Sequence, residues 1–412
     1  MTVGNNVPEI RFNGFSRAWE ERSLDSVYRK IRNAFVGTAT PYYVKEGHFY
    51  LESNNIKDGK INRRTEIFIN DEFYHKQSDK WLREGDIVMV QSGHVGHTAV
   101  IPPELNNIAA HALIMFTDPK EDVSPYFLNF QFQTENMKTK LSEITTGNTI
   151  KHILSSEMKA FEMLFTDFEE QTQIGNTFQK LDSLINQHQQ KHDKLSHLKK
   201  AMLEKMFPKQ GETVPEIRFK GFSGEWLSSS IGEICGATFG GGTPSTNEKN
   251  FWQGEIPWIQ SSDVKDGVIC SVTAKKYITK AAVNKTATKL VSGNSIAIVT
   301  RVGVGKLSLM RGEYSTSQDF LSLSDLKINS QYAVYVIWKQ LKIEKEQVQG
   351  TSIKGITKDE LLGKFISYPE SEEEQTQIGN YFQKLDTLIN QHQQQITKLT
   401  NIKQACLSKM FV

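Results

Sequence analysis

The chain is written twice. Val7-Pro-Glu-Ile-Arg-Phe-Asn-Gly-Phe-Ser16, followed by Trp19, returns 207 residues later as Val214-Pro-Glu-Ile-Arg-Phe-Lys-Gly-Phe-Ser223, followed by Trp226. A longer block, Glu169 to Phe207, returns 204 residues later as Glu373 to Phe411, with 28 of 39 positions identical. A period of half the chain is a duplication, because stacked-repeat proteins recur every ~20–50 residues. At 412 residues the chain is also too long for one core and predicts several domains. Between the repeats, residues 21–168 and 227–372 look largely unlike each other, apart from two echoes. Gly147-Asn-Thr-Ile-Lys-His-Ile153 matches Gly350-Thr-Ser-Ile-Lys-Gly-Ile356, and Gly93-His-Val-Gly96 stands where Val302-Gly-Val-Gly305 stands in the second half. The middle segments are therefore expected to share a fold and differ in surface.

The long repeat reads as a helix. From Gln171 to Phe207 there is no proline, and Gly175 is the sole glycine. Apolar residues fall at Ile174, Phe178, Leu181, Ile185, Leu195, Met202 and Met206, with polar gaps at His188, His192 and Lys199. The second copy places Ile378, Phe382, Leu385, Ile389, Ile396, Leu399 and Met410 on the same stripe, with His392, Lys403 and Cys406 completing it. Steps of four and three sustained over about five heptads predict a coiled coil. Asp167-x-x-Glu170 and Ser371-x-x-Glu374 read as capping boxes, an acceptor at the N-cap and a glutamate at N3. Each helix would be on the order of 55 Å long. Neither can bury its stripe alone, and each offers the other a matching one, so an antiparallel intramolecular pair is expected, the plainer alternative being two separate helices packed on their own domains. His188 and His392 occupy equivalent seam positions at mid-helix and should then meet, a polar position that fixes register.

Composition narrows the class. No apolar run approaches the ~20 residues that span a bilayer. Met1 to Glu20 has no apolar core of a signal peptide, so a cytoplasmic protein is expected. Cys235, Cys270 and Cys406 have no paired spacing and read as reduced thiols. A net charge of +2 is low for a stand-alone DNA-binding domain and leaves room for one that binds with partner subunits.

Within the middle segments, Asp86-Ile-Val-Met-Val-Gln91 and Ser295-Ile-Ala-Ile-Val-Thr300 read as buried strands. Ser124 to Gln133 and Ser330 to Lys339 read as packed helices, and Phe239-Gly-Gly-Gly-Thr-Pro-Ser245 as a loop. Gly241-Gly-Thr-Pro-Ser245 followed by Phe251-Trp-x-Gly-x-Ile-Pro-Trp258 resembles the target recognition domains of type I restriction-modification specificity subunits. The Glu-Glu-Gln-x-x-Ile starts at Glu169 and Glu373, each leading a long helix, are similar to that family's conserved regions. The likeness runs over nearly the whole chain. Two departures are plain: the first half lacks the Gly-Gly-Thr-Pro loop, and Phe165-Thr-Asp-Phe168 replaces a proline-rich lead-in.

The resemblance implies a mixed α/β protein with two pseudo-symmetric recognition domains, residues 1–168 and 209–372. Two long helices, residues 169–208 and 373–412, pair as an antiparallel coiled coil. Each domain would read one half of a split, asymmetric DNA target, the helices setting the gap, with half-site centres about 34–36 Å apart. The helices would also dock two methyltransferase subunits, and restriction/translocase subunits would complete the complex. S-adenosylmethionine, ATP and Mg would belong to those partners, none to this chain, and so would adenine methylation, which requires a flipped base.

Candidate DNA contacts are the polar residues beside the glycine turns. In the first half these are Gln91, Ser92, His94, His97, Asn148, Thr149 and Lys151. In the second they are Thr243, Ser245, Gln260, Ser261, Ser262, Arg301, Ser317, Gln318, Ser352 and Lys354. Gln and Asn pair bidentately with adenine and Arg with guanine, whereas Lys, Ser and Thr more often hold phosphates. The plain alternative is that they are ordinary loop polars. Gly303-Val-Gly-Lys306 lacks the upstream glycine and following Ser/Thr of a phosphate-binding loop. His94, His97 and His111 lack metal-site spacing. No methylation, dinucleotide or helicase motif is visible, which disfavours a self-contained DNA enzyme. A coiled-coil scaffold with protein-binding middle domains is the other rival.

Overall fold

The computed structural model describes residues 6–147, 151–270, 272–347 and 355–412. They fall into two compact units, Met1–Gln187 with Gln395–Val412, and His188–Gln394. The sequence division set the helices apart from the domains. Here each helix instead lends its first half to one unit and its second half to the other.

Each unit is built on the same four-stranded antiparallel sheet. In the first the strand order is Tyr28–Asn33, Leu113–Pro119, Ile87–Val90, Thr98–Val100. In the second it is Cys235–Gly240, Phe320–Leu326, Ser295–Val299, Leu307–Met310. Ile87–Val90 and Ser295–Val299 are buried at every position. That is why they read as continuous apolar runs rather than alternating ones: both faces of the strand are covered. Ile87, Met89, Ile114 and Phe116 pack with Phe127 and Leu128 of the helix Pro125–Gln131, while Val88, Val90, Leu113 and Met115 face a second core with Leu51 and Ile101. The second unit repeats this. Ile296, Ile298, Leu321 and Leu323 pack with Tyr332 and Tyr335 of the helix Ser330–Gln347, and Ala297, Val299 and Phe320 with Ile259 and Tyr314. A smaller sheet beside that second core also recurs, each with one parallel pair: His48–Leu51 with Ala109–Ala110, and Ile256–Ile259 with Ser315–Thr316. The likeness of fold hidden by sequence divergence is thus present at the level of strand order.

The long helices run Phe168–Lys205 and Glu372–Lys409. In the first unit Phe178 meets Phe411 at 5.7 Å between ring centroids, and Lys403 donates to Asp182 at 2.8 Å. In the second unit Phe382 meets Phe207 at 5.7 Å, Lys199 pairs with Asp386, and the Nδ1 atoms of His188 and His392 lie 2.9 Å apart. Within each unit the two helix halves therefore run antiparallel. A 2.9 Å Nδ1 pair needs one nitrogen to donate and the other to accept, so the two imidazoles share a single facing proton. Burial first, then His188, Lys191 and His192, push the His392 pKa below its ordinary value. Ile174, Phe178, Ile378, Phe382 and Leu385 are buried, and Leu181, Ile185, Leu195, Ile389 and Leu399 half-buried. Leu203 and Leu407, absent from the expected stripe, are buried too.

The short repeat ties these parts together. Arg11 donates to both carboxylate oxygens of Glu170, at 2.6 and 2.7 Å, and Arg218 does the same to Glu374, at 2.7 Å each. Both glutamates are fully buried. This corrects the capping-box expectation. Ser371 Oγ does accept from the Glu374 N–H at 3.3 Å, yet neither glutamate returns to its N-cap, because its carboxylate is held by the arginine and, at Glu170, by the Thr166 hydroxyl as well. The next residue acts as a bridge. Gln171 accepts from the Ser124 N–H and donates to the Thr166 carbonyl, and Gln375 accepts from Asn329 and donates to Pro369. Gly379 has no side chain because a Cβ there would stand 2.9 Å from the Tyr332 nitrogen.

Truncating one member of such a buried pair strands the other's charge, at a cost of about 3–5 kcal/mol. Arg218→Leu should therefore lower the urea midpoint sharply. Arg218→Leu with Glu374→Leu should recover much of the loss, and a double variant no better than the single would show that the pair is not the source.

Candidate nucleic-acid interface

The candidate residues gather where the central strand leaves the sheet. In the first unit Val90 donates to the His97 carbonyl at 2.8 Å and Gly96 to the Val90 carbonyl at 3.0 Å. In the second, Val299 donates to Lys306 at 2.8 Å and Gly305 to Val299 at 3.1 Å. The turns 91–97 and 300–306 are thus one structure with different side chains, as the Gly93–Gly96 echo suggested. The second turn joins two antiparallel strands, not a strand and a helix, so Gly303–Lys306 has no phosphate-loop setting. The other echo is structural as well. Ile153 donates to the Gln91 carbonyl at 3.0 Å, and Ile356 to the Thr300 carbonyl at 2.8 Å. Asn148 and Thr149 in the first echo, and Ser352 and Lys354 in the second, lie outside the described residues.

In the first unit the turn overhangs a cavity of about 420 Å³ lined by His94, His97, Lys138, Lys151, Asp58 and Lys403 among others. Gln91 and Ser92 are half-buried, and neither lines it. The Asp58 N–H donates to His97 Nδ1 at 3.3 Å, which leaves Nε2–H as a donor. Burial pushes the His97 pKa below its ordinary value, so the ring is neutral at pH 7. Lys138, Asp58 and Lys403 carry no signal in the sequence, because they arrive from three remote segments. Among the described residues no group of three His, Cys, Asp or Glu is placed to hold a metal ion.

In the second unit an open groove of about 1040 Å³ is lined by Arg301, Gln318, Thr300, Lys358 and the glycines 240, 241, 303 and 355. The strand Cys235–Gly240 extends through Phe239 and Gly240, so the expected loop begins only at Gly241. A Cβ on Gly241 would stand 1.9 Å from the Ser317 carbonyl oxygen, so glycine is required there by close backbone approach. The tryptophans of the motif serve the same loop: Trp258 Nε1 donates to the Gly242 carbonyl at 2.9 Å and Trp252 Nε1 to that of Ser245 at 3.0 Å. The Gly-Gly-Thr-Pro and Trp signature is thus a packing device that holds a strand end against the groove. Thr243 donates to Gln318 Oε1. Ser317 is buried, and its hydroxyl donates to Asp319 at 3.4 Å, so it supports the turn from inside. Ser245, Gln260, Ser261 and Ser262 do not line the groove; Gln260 to Ser262 form the turn after Ile256–Ile259, where the Gln260 N–H donates to Asp263.

Two divergent polar surfaces at the same end of two like sheets define a duplicated recognition protein. The type I restriction modification DNA specificity domain model matches residues 17–197 and 223–401. The chain belongs to that family, the specificity subunits of type I restriction-modification systems. In such systems the enzymatic activities lie in other subunits. It is 34% identical over 184 residues to the EcoR124I/EcoR124II specificity subunit of Escherichia coli, covering 42% of this chain and 44% of that one. The chain therefore spans under half the length of that relative. It is 21% identical over 402 residues to the MjaX specificity subunit of Methanocaldococcus jannaschii, covering 93% and 90%. The fold is like that of a type I S subunit from M. genitalium, with a TM-score of 0.62, 16% identity and 98% and 99% coverage. Among the described residues no helix is long and apolar enough to cross a membrane.

One corner of the first unit carries a pH signature. His111 Nε2 lies 2.9 Å from the Gly37 carbonyl and Nδ1 3.4 Å from Glu52, which also accepts from Tyr43 at 2.7 Å. The His111 hydrogen bond lowers the Glu52 pKa, and the Glu52 bond raises that of His111. Glu52's contribution is complete above its ordinary value and lost as pH falls through the lowered one. That of His111 is complete below its ordinary value and lost as pH rises through the raised one. Both are whole between about pH 4.3 and 6.5. Melting temperatures of wild type and His111→Gln should differ most in that window and converge above it. A constant gap from pH 5 to 9 would contradict the pairing.

Proposed function

We propose that this chain is the non-catalytic DNA-reading subunit of a type I restriction-modification complex. The observation that carries this reading is the pair of turns, 91–97 and 300–306, alike in backbone hydrogen bonding and different in every side chain that faces outward. Each unit reads one half of a bipartite, asymmetric target. The first presents His94, His97 and Lys151, the second Arg301 and Gln318. Lysines of the first cavity hold phosphates and set position, a salt-sensitive contribution that carries no sequence information.

The long helices pair as an antiparallel coiled coil that sets the spacer between the half-sites and docks two methyltransferase subunits. Their antiparallel contacts and the His188–His392 meeting support that register. Restriction/translocase subunits complete the assembly. S-adenosylmethionine serves the methyltransferase subunits, and ATP and Mg the translocase. Adenine methylation and cleavage are directed by this chain and performed by those partners.

Two variants test the reading through the methylome of cells that carry the complex. Exchange of residues 227–368 for another such domain should change one half of the methylated motif and leave the other half and the gap intact. Insertion of one helical turn between residues 187 and 190 should change the gap alone. A methylome indifferent to both would overturn the assignment.

A further inference from the structure

The second unit's groove holds two side chains in a relation that the turn geometry fixes. Val299 and Phe320 are the last registered partners of the central antiparallel pair. Beyond them Thr300 donates to the Asp319 carbonyl twice, from N at 2.7 Å and from Oγ1 at 3.0 Å, which carries the register one step past the sheet. Arg301 follows Thr300 into the 300–306 turn, and Gln318 precedes Asp319 in the turn that the Phe320 N–H closes onto the Ser317 carbonyl at 3.2 Å. Arg301 and Gln318 are exposed and both line the same groove. Each is the immediate chain neighbour of one member of the Thr300–Asp319 bond, which sets the two side by side where the strands end. Stacked bases lie ~3.4 Å apart along a strand, so two long side chains set side by side match the scale of neighbouring bases.

We propose that Arg301 and Gln318 form a two-residue reading head for adjacent base pairs, guanine under Arg301 and adenine under Gln318, with Thr243 as the positioning residue that orients the Gln318 amide. This deepens the DNA-reading function proposed above and rests on it.

The chemistry follows from the donors available. Arg301 is exposed on the groove, so its fork is available to the O6 and N7 acceptors of guanine. The Thr243 hydroxyl donates to Gln318 Oε1 and fixes the amide plane. The second lone pair of Oε1 and the Nε2–H group remain for the N6–H and N7 of adenine. The backbone beneath is braced on both sides. Ser317 N–H donates to the Ile259 carbonyl at 2.9 Å, and Gly242 N–H to that of Thr316 at 2.8 Å. A side chain on such a base keeps its aim, which is what discrimination between bases needs.

The first unit cannot read in this way. Its corresponding residues are Ser92 and His111, since Val90 pairs with Leu113 as Val299 does with Phe320. His111 is turned toward the Gly37 carbonyl and Glu52. The two halves of the target should therefore differ in kind, with the G·A step confined to the second.

The test is selection of random duplex DNA by the full chain, purified with the subunits that accompany it. Wild type should enrich a bipartite motif with an adjacent guanine and adenine in one half. Arg301→Ala should relax the guanine position by roughly 5- to 150-fold and Gln318→Ala the adjacent adenine by a similar factor, the other positions holding. Thr243→Val should relax only the adenine position, by about 5-fold, and Thr243→Ser should restore it. Retained preference elsewhere in the motif is the internal proof of folding. A wild-type chain with no sequence preference overturns the DNA-reading function and this inference with it. A wild-type motif that Arg301→Ala and Gln318→Ala leave unchanged, or change at non-adjacent positions, overturns the reading head alone. Loss at the adenine position that Thr243→Ser does not restore overturns the role of Thr243.

Discussion

The buried Arg11–Glu170 and Arg218–Glu374 pairs are the contacts on which the rest of the arrangement depends. Each joins residues more than 150 positions apart and places a guanidinium beside a carboxylate with no solvent access. Such a pair contributes little net stability over an apolar substitute, but it tolerates no partial occupancy. Its worth lies in specification. The neighbouring Ile10 and Ile217 N–H groups donate to the Lys409 and Lys205 carbonyls at 2.8 and 2.9 Å. One ten-residue motif thus grips the start of one long helix through its arginine and the end of the other through its backbone. The grip recurs in both units, so helix register is fixed at the ends as well as along the seam. Trp19 and Trp226 seal it with edge contacts to Phe411 and Phe207, at 6.1 and 6.0 Å.

This explains what the sequence could and could not disclose. Helix extent, buried strands and duplication were legible because each depends on periodicity or identity along the chain. The facing of His188 and His392 was legible for the same reason, since antiparallel equal helices meet at their midpoints. The role of Glu170 and Glu374 was misread as capping because a glutamate three residues after an N-cap looks the same locally whatever it binds. Only the presence of an arginine in each copy of the short motif hinted at a distant partner. Lys199 looked like a gap in the apolar stripe of the first helix, and Lys403 like a residue that completes the stripe of the second. In fact they pair with Asp386 and Asp182, and their ammonium groups lie over aromatic rings, Trp338 at 5.1 Å and Phe130 at 5.2 Å. An amphipathic lysine fills a seam position as well as an apolar residue does when its ammonium finds a carboxylate.

The placement of the candidate residues was legible in part. The turns were found from glycine placement, and the residues on them follow. Lys138 and Lys403 at the first cavity were invisible, being brought there by tertiary packing. Nor could sequence sort Ser317, which faces inward, from Gln318, which faces the groove. Both are polar, adjacent and at a turn, and only tertiary packing separates them, burying Ser317 and leaving Gln318 exposed.

The contrast between the two turns has a physical basis. Ile153 and Ile356 are joined to their turns by backbone hydrogen bonds, as are Gly96 and Gly305, and both isoleucine side chains pack on the cores beneath. A frame closed by main-chain donors makes no demand on the side chains it presents, so those can be replaced without loss of the fold. The exceptions are where side chains do the closing. Gly241, Trp252 and Trp258 secure the groove of the second unit, and His111 with Glu52 secures the corresponding corner of the first. Those residues are committed to architecture, whereas Arg301 and Gln318 in one unit, and His94 and Lys151 in the other, are exposed on the frame that the main chain closes.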